Sequence, residues 1–156
     1  MEYPVKLADI VSQPVGTLRD LDFSGQSAKN IDLTALRLEE CNLSGCDLSG
    51  SDLKAAVLIR CNLAGTTCVD TDFGAGDLSG SMFSGADLAG AVFRGALLTQ
   101  VNFSGADLLR ADFSGATMTG AVLFGADLDG AIMEDGQPYD PGLHDRRIHS
   151  KWGEPQ

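Results

Sequence analysis

Histidine and cysteine are the side chains in this sequence with the chemistry for catalysis or for tight metal binding. The two histidines, His144 and His149, are five residues apart, which places them on different sides of a helix, unlike a metal-binding pair at positions i and i+4. No histidine precedes His144, so the rest of the chain offers no base for a Ser-His-Asp site. We predict no catalytic or metal-binding histidine, and we expect both side chains to face solvent.

The four cysteines lack the C-x-x-C spacing of a zinc site, since they stand at positions 41, 46, 61 and 68. A free cysteine packs as a small apolar residue, and reduced buried thiols are typical of cytoplasmic proteins. We therefore predict four structural thiols, a cytoplasmic protein and no bound metal or cofactor. Nothing in the sequence indicates an enzyme.

The composition of the chain limits the classes of partner that it can bind. Among 156 residues, 22 acids and 11 bases give a net charge of −11, which argues against direct binding to nucleic acid, because phosphate contacts need clustered Lys and Arg. No apolar run approaches the ~20 residues of a membrane helix, and the opening MEYPVKLADIVSQP has no apolar signal core. We expect no membrane partner.

A repeat of five residues runs through most of the chain. The segment 16–135 divides into 24 pentapeptides without an insertion, as in ADLAG, AVFRG and ADLLR. The third residue is Leu in fourteen of them, Phe in six and Met in two, and the two departures are Ala28 and Cys68. The first residue is usually small, the second is often Asp or Asn, and the fifth is Gly in thirteen.

This period fits neither a helix nor a continuous strand. On an α-helix the large third residues would spread around the whole surface, and on a strand they would alternate between faces. The chain must therefore turn within each pentapeptide, so that the large third and small first residues point to one axis while Gly relieves the bend. Gly also recurs every 20 residues from Gly25 to Gly125, which indicates a superperiod of four pentapeptides.

The pattern resembles the consensus A-(D/N)-L-x-x of the pentapeptide-repeat family, over about three quarters of the chain. The resemblance implies an all-β solenoid, a right-handed quadrilateral β-helix of about six 20-residue coils. At the ~4.8 Å spacing of adjacent strands the rod would be roughly 29 Å tall. Cys41 and Cys61 would then lie one coil apart, which leaves a disulfide as the alternative to free thiols. Two stacks of phenylalanine are expected, Phe73, Phe93 and Phe113 in one and Phe23, Phe83 and Phe103 in the other.

The segments outside the repeat are expected to cover the ends of the solenoid with short helices, because its core is exposed there. We divide the chain into an N-terminal cap at 1–15, the β-helix at 16–135 and a C-terminal turn with a short helix or tail at 136–156. The C-terminal helix would cover the last coil. Alternatively, it would present Trp152 to a second copy and form a homodimer.

Four pentapeptides per coil give the rod four faces. Face A consists of the pentapeptides beginning at residues 16, 36, 56, 76, 96 and 116, and faces B, C and D begin five, ten and fifteen residues later. Their formal charges are −1, −1, −4 and −4. The aspartates of the two acidic faces are Asp47, Asp87, Asp107, Asp127 and Asp129 on face C and Asp32, Asp52, Asp72 and Asp112 on face D. We expect a solvated acidic surface there rather than a Ca²⁺ site, because no Asx-rich loop surrounds them.

The charge-poor faces carry apolar residues at positions that should face outward. We predict a contact surface for a partner or a second copy, although scattered surface apolar residues are also normal. The candidates are Met82, Val122 and Phe124 on face B, Val57, Ile59 and Leu97 on face A, and Trp152 in the tail.

These features favour a non-enzymatic binding or scaffold protein that offers flat faces to a protein partner. The alternative follows from the resemblance, because some pentapeptide-repeat proteins resemble B-DNA in width and charge and bind type II topoisomerases such as gyrase. Faces C and D fit that alternative. The uninterrupted repeat does not, since gyrase-protecting members often carry a loop between coils.

Overall fold

The structure, a computed structural model, describes residues 5–12 and 16–144. A 3-10 helix spans Leu7–Ser12, and three short strands follow: β1 (Leu18–Arg19), β2 (Arg37–Glu39) and β3 (Val57–Ile59). The strands form a parallel sheet in the order β1-β2-β3. Residues 141–144 form a single helical turn.

Parallel pairing between residues 20 apart continues well beyond this sheet. Single bridges join Asp22 to Asn42, Ser27 to Asp47 and Asp32 to Asp52, and bridges of the same spacing follow along the chain to the pair Asp112 and Ile132. Each pentapeptide contributes only one to three paired residues. Few residues therefore belong to named strands, although four parallel ladders join successive coils. The spacing agrees with the superperiod predicted from glycine.

The fifth residue of each pentapeptide makes the corner between two ladders. Every such residue from Asp20 to Gly130 has a positive φ, a conformation that glycine adopts without strain and that other residues disfavour. Ten of these corners are nevertheless not glycine, among them Arg60 and Ala75. The next residue closes the turn by donating its N–H back to the third residue, as from Gln26 to the carbonyl of Phe23 at 3.2 Å.

The core is a column of third residues, nearly all of them buried. Phe93 lies between Phe73 and Phe113, with ring centroids 5.1 Å apart on both sides and planes within 5°. It also meets Phe83 and Phe103 edge to face. The two stacks predicted from the sequence are confirmed for these five rings, and the edge contacts join them into one cluster.

The first coil holds large side chains where later coils hold small ones. Gln26 occupies such a position, and its amide accepts the N–H of Leu7 at 2.8 Å and donates to the carbonyl of Val5 at 3.1 Å. Leu7 and Ile10 are buried against the core. The larger residues of this coil therefore pack against the N-terminal segment.

The last coil is extended by the chain itself on face D. Ile132 pairs antiparallel with Pro138, and Tyr139 donates its N–H to the carbonyl of Ala131 at 2.7 Å. Asp140 caps the helical turn that follows, because its carboxylate accepts the N–H of Gly142 at 2.8 Å.

The expectation that the histidines face solvent is wrong for His144, which is 1 % exposed. Its Nδ1 accepts the N–H of Asp140 at 2.8 Å, and its ring stacks on Tyr139. The spacing of histidines along the chain could not reveal this burial, which depends on how residues 137–144 fold back. His149 and Trp152 lie outside the described residues.

Candidate interaction surfaces

The second residue of a pentapeptide faces outward and closes the local turn wherever it is Asp or Asn. Its side-chain oxygen accepts the backbone N–H two residues further on, as from Ser104 to Asn102 at 2.9 Å and from Leu109 to Asp107 at 3.0 Å. The same bond occurs at thirteen positions on all four faces, including Asp77 on face A, Asp22 on face B and Asp32 on face D. Both Asp and Asn therefore satisfy the fold at this position.

The choice between Asp and Asn at this position differs from one face of the rod to another. On face B three of the four turn-closing residues are Asn, namely Asn42, Asn62 and Asn102. On faces C and D all eight are Asp. Since the hydrogen bond is the same in both cases, the fold does not require the acidity of faces C and D. It is a property of those surfaces.

Basic side chains neutralise only part of the acidic faces. Lys29 lies 3.3 Å from Asp47 on face C, and Lys54 and Arg94 pair with aspartates of face D. Among the described residues, no ion pair reaches the four remaining face C candidates, Asp87, Asp107, Asp127 and Asp129. Bridges join Asp87, Asp107 and Asp127 directly, so their carboxylates form an uncompensated ladder.

Local hydrogen bonds lower the pKa of several aspartates. At Asp32 the side chain and backbone N–H of Thr34 are the main causes. At Asp112 burial raises the pKa. The hydrogen bonds from Ser114 and the ion pair with Arg94 lower it by more, so the pKa is lowered overall. These carboxylates are therefore charged at neutral pH.

The apolar candidates differ in how much surface they expose. Phe124 on face B is 70 % exposed, Met82 on the same face 42 % and Leu97 on face A 45 %. The other three, Val57, Ile59 and Val122, are half-buried. The sequence did not single out Leu143, which is 51 % exposed on the C-terminal helical turn. Trp152 lies outside the described residues, so the structure does not place it.

The cysteines are buried in the core, and all four are free. Burial raises the pKa of the Cys61 thiol and of the Cys68 thiol to about 12. Cys46 donates to the carbonyl of Phe23 at 3.0 Å. A thiol that is neutral and enclosed is a poor nucleophile, which agrees with the predicted structural role.

The described part of the chain contains no group of three or more His, Cys, Asp or Glu side chains that could hold a metal ion. His144 lies 3.5 Å from Asp135 through its Nε2, and this pair is the nearest approach of a histidine to a carboxylate there. Within the same residues, no helix has the length and apolar character needed to cross a membrane.

A profile of pentapeptide repeats matches this sequence in eight copies, over residues 18–54, 41–80, 53–95 and 96–135. The chain belongs to the pentapeptide-repeat family. Membership implies a right-handed quadrilateral β-helix, and the four parallel ladders agree with that architecture. No curated protein sequence matches the chain significantly.

Several solved pentapeptide-repeat structures resemble this one. A pentapeptide repeat protein from the thylakoid lumen of Arabidopsis thaliana is 30% identical with a TM-score of 0.51, and the match covers 74% of this chain and 75% of that chain. Rfr23 from the cyanobacterium Cyanothece 51142 is 25% identical, with a TM-score of 0.37 and coverage of 78% and 90%. QnrB1, described as a plasmid-mediated fluoroquinolone resistance protein, is 20% identical, with a TM-score of 0.41 and coverage of 74% and 71%.

Proposed function

We propose that this protein is a non-enzymatic scaffold that binds a protein partner through the flat faces of its β-helix. The observation that carries the proposal is the division of the surface. Asp and Asn close the same turn, yet the uncharged residue is used at three of four positions on face B and the charged one at all eight on faces C and D. A surface that only had to fold would not need this division.

The contact surface that we propose lies on the charge-poor faces and includes the exposed Phe124, Met82 and Leu97. Apolar surface gains most from being removed from water, whereas a face rich in carboxylates retains its hydration and repels other acidic surfaces. Face B also carries glycine at every corner from Gly25 to Gly125 and serine at most fourth positions. Such short side chains lose little conformational entropy on contact.

The test is affinity capture with matched variants. Phe124→Glu places a charge on face B, and Asp107→Asn removes one from face C without removing the turn-closing hydrogen-bond acceptor. We expect the first variant to lose its captured partner and the second to retain it, with circular dichroism showing that both are folded. Loss of capture only in Asp107→Asn would move the contact to the acidic faces.

A second candidate function is mimicry of DNA toward a type II topoisomerase. The uncompensated ladder of Asp87, Asp107 and Asp127 favours it, because a row of carboxylates about 4.8 Å apart is a linear array of negative charge, as is a DNA strand with one phosphate per ~3.4 Å of its axis. A supercoiling assay with DNA gyrase tests this alternative. The candidate predicts inhibition, or protection from a fluoroquinolone, that the triple variant Asp87→Asn, Asp107→Asn, Asp127→Asn no longer gives. Absence of any effect at large excess of protein would remove it.

In this proposal the protein is a rod of about six coils whose ends are covered by the segments 1–15 and 136–156. The burial of Leu7 and Ile10 supports the N-terminal cover, and the antiparallel pairing of Ile132 with Pro138 supports the C-terminal one. The cytoplasm is the location we propose, on the basis of the four free buried thiols.

A further inference from the structure

We propose that face B is where two copies of this chain meet, with the rods parallel, in register and related by a two-fold axis that runs along them. This inference names the occupant of face B and so rests on the proposed contact surface. The other faces would remain available to a different partner.

Charge selects face B for contact between identical chains. Two copies that met through face C or face D would bring two surfaces of formal charge −4 together, and like charges that face each other oppose association. The only charged residue of face B is Asp22, at its N-terminal end. Face A also has a net charge near zero, but it carries long, exposed charged side chains. Arg19 and Arg60 form ion pairs with Glu39 and Glu40 there, and these groups would have to lose water in a contact between two copies.

The shape of face B is self-complementary about the proposed axis. The outward side chains of each strand are its second and fourth residues, and a two-fold axis parallel to the rod places the second residue of one copy opposite the fourth residue of the other. In most coils the second residue is long and the fourth is short, as in Asn62 with Ala64 and Met82 with Ser84. Each long side chain therefore meets a short one across the interface.

In the last coil the long side chain is the fourth residue, Phe124, and the shorter one is the second, Val122, so a long side chain again meets a short one. Phe124, 70 % exposed, would lie opposite Val122 of the second copy, and symmetry would repeat the contact. The two largest apolar groups at this end of face B thus cover each other in both chains, and aromatic side chains of this kind are typical anchors of interfaces.

The asparagines have hydrogen-bonding capacity directed outward. The Oδ1 of Asn102 accepts the N–H of Ser104 in its own turn, and among the described residues the side-chain nitrogens of Asn42, Asn62 and Asn102 donate to no partner. In the proposed arrangement the Nδ2 of Asn102 faces the hydroxyl of Ser104 in the second copy. Aspartate would close the same turn but could not donate this bond.

An antiparallel pair would lose these matches. If the axis ran along the strands instead, Phe124 would face Ser24 at the N-terminal end of the second copy and Val122 would face Asp22. An aromatic ring and an aliphatic side chain would then cover a hydroxyl and a carboxylate, and neither would offer the carboxylate a hydrogen bond. In the parallel arrangement Asp22 instead lies opposite Ser24 of the second copy, whose hydroxyl can donate to it.

The size of face B predicts a weak dimer. Its ladder rises through five steps from Asp22 to Val122, about 24 Å at 4.8 Å per step, and one pentapeptide would be at most about 16 Å wide if it were fully extended at 3.3 Å per residue. The flat area is therefore at most about 400 Å² on each copy, or about 800 Å² in total, which is less than the ~1,200 Å² of a stable interface and is typical of weak ones. The association should therefore depend on concentration.

Sedimentation velocity over a range of protein concentrations is the first test. Wild type should change from monomer to dimer as concentration rises, and Phe124→Glu should raise the dissociation constant by at least about tenfold, since two buried charges are introduced for each dimer. Leu143→Glu is the matched control, because it adds the same charge at a 51 % exposed apolar residue that lies outside the proposed contact surface. A wild type that stays monomeric at all concentrations, or a dimer broken by Leu143→Glu and not by Phe124→Glu, would overturn the proposal.

Crosslinking between mixed single variants tests the orientation. Asn102→Cys mixed with Ser104→Cys should give a crosslinked dimer with a short thiol-specific reagent, whereas Ser44→Cys mixed with Ser104→Cys should not. The reverse result would mean an antiparallel pair and would refute the register proposed here. Wild type is the control for the native thiols, which are buried.

The self-contact and the proposed function can fail separately. If Phe124→Glu loses a partner in affinity capture while wild type is monomeric in sedimentation, face B binds another protein. The self-contact is then refuted and the proposed function stands.

Discussion

Asp107 offers a way to separate the two roles of an aspartate in this protein, the closing of a turn and the charging of a surface. Its carboxylate accepts the N–H of Leu109 at 3.0 Å, and it lies between Asp87 and Asp127 on the same ladder. No ion pair complicates its replacement within the described residues. We compare Asp107→Asn, which preserves the acceptor, with Asp107→Ala, which removes it.

The expected energies follow from two opposing effects. A turn hydrogen bond of this kind contributes about 1 kcal/mol. Each neighbouring carboxylate, about 5 Å away, repels Asp107 by about 0.8 kcal/mol in water before screening, and salt reduces that value. Both substitutions relieve the repulsion, but only alanine loses the bond. Asp107→Asn should therefore be at least as stable as wild type at low salt, and Asp107→Ala should be about 1 kcal/mol less stable than Asp107→Asn.

Urea unfolding at low and high salt measures both effects, with Asn102→Ala as the control on face B. Asn102 accepts the N–H of Ser104 at 2.9 Å and is uncharged, so its replacement should lower the unfolding free energy by about 1 kcal/mol at either salt concentration. Equal stability of Asp107→Asn and Asp107→Ala would refute the reasoning, because the turn would then not need the acceptor and the acidity of face C could not be separated from the fold.

Three further predictions concern the core, the N-terminal segment and acid stability. Phe93→Leu should destabilise the protein by about 1 kcal/mol more than Phe23→Leu in urea unfolding, because Phe93 stacks on two phenylalanines and meets two more edge to face, whereas Phe23 is equally buried without a recorded ring contact among the described residues. Gln26→Leu should increase amide hydrogen exchange at residues 7–10 while exchange at Phe93 stays unchanged, since Gln26 bonds to the backbone of Val5 and Leu7. The pKa of Asp32 is lowered in the folded state by its hydrogen bonds with Thr34, so the stability that it contributes is present above the unfolded pKa and is lost as the pH falls through the folded pKa. Urea midpoints between about pH 2 and 6 should accordingly show a weaker acid dependence in Asp32→Asn than in wild type.

The repeat could be predicted from sequence because its determinants are local. A large third residue, a small first residue and a glycine corner every five positions leave few other ways to bury the apolar side chains, and the pairing of residues 20 apart agrees with that expectation. The glycine pattern did not show that Arg60 and Ala75 adopt the same positive φ. The ladders on both sides hold these corners in place, and such tertiary constraint overrides the local preference of the residue.

The ends and the surface were harder to predict, because their interactions link residues that are distant in sequence or have two roles. The burial of His144 depends on residues 137–144 folding back over the last coil. From the sequence the aspartates are expected to provide surface charge alone, and the structure adds their hydrogen bonds to the turns. A signal for this was present in the sequence, since Asp and Asn alternate at one position of the repeat and share a side-chain acceptor.

Every assignment of a residue to a face rests on the inward and outward register of the pentapeptide, and one pair of neighbours tests it most directly. Leu88 is fully buried, so Leu88→Asp would place an unpaired carboxylate in the core at a cost of several kcal/mol. Asp87 is half-buried on face C, and Asp87→Leu removes a 3.3 Å turn hydrogen bond, a loss of about 1 kcal/mol at most. In urea unfolding we expect Leu88→Asp to be unfolded or severely destabilised and Asp87→Leu to be close to wild type. Similar unfolding midpoints for the two variants would contradict the register and, with it, the faces.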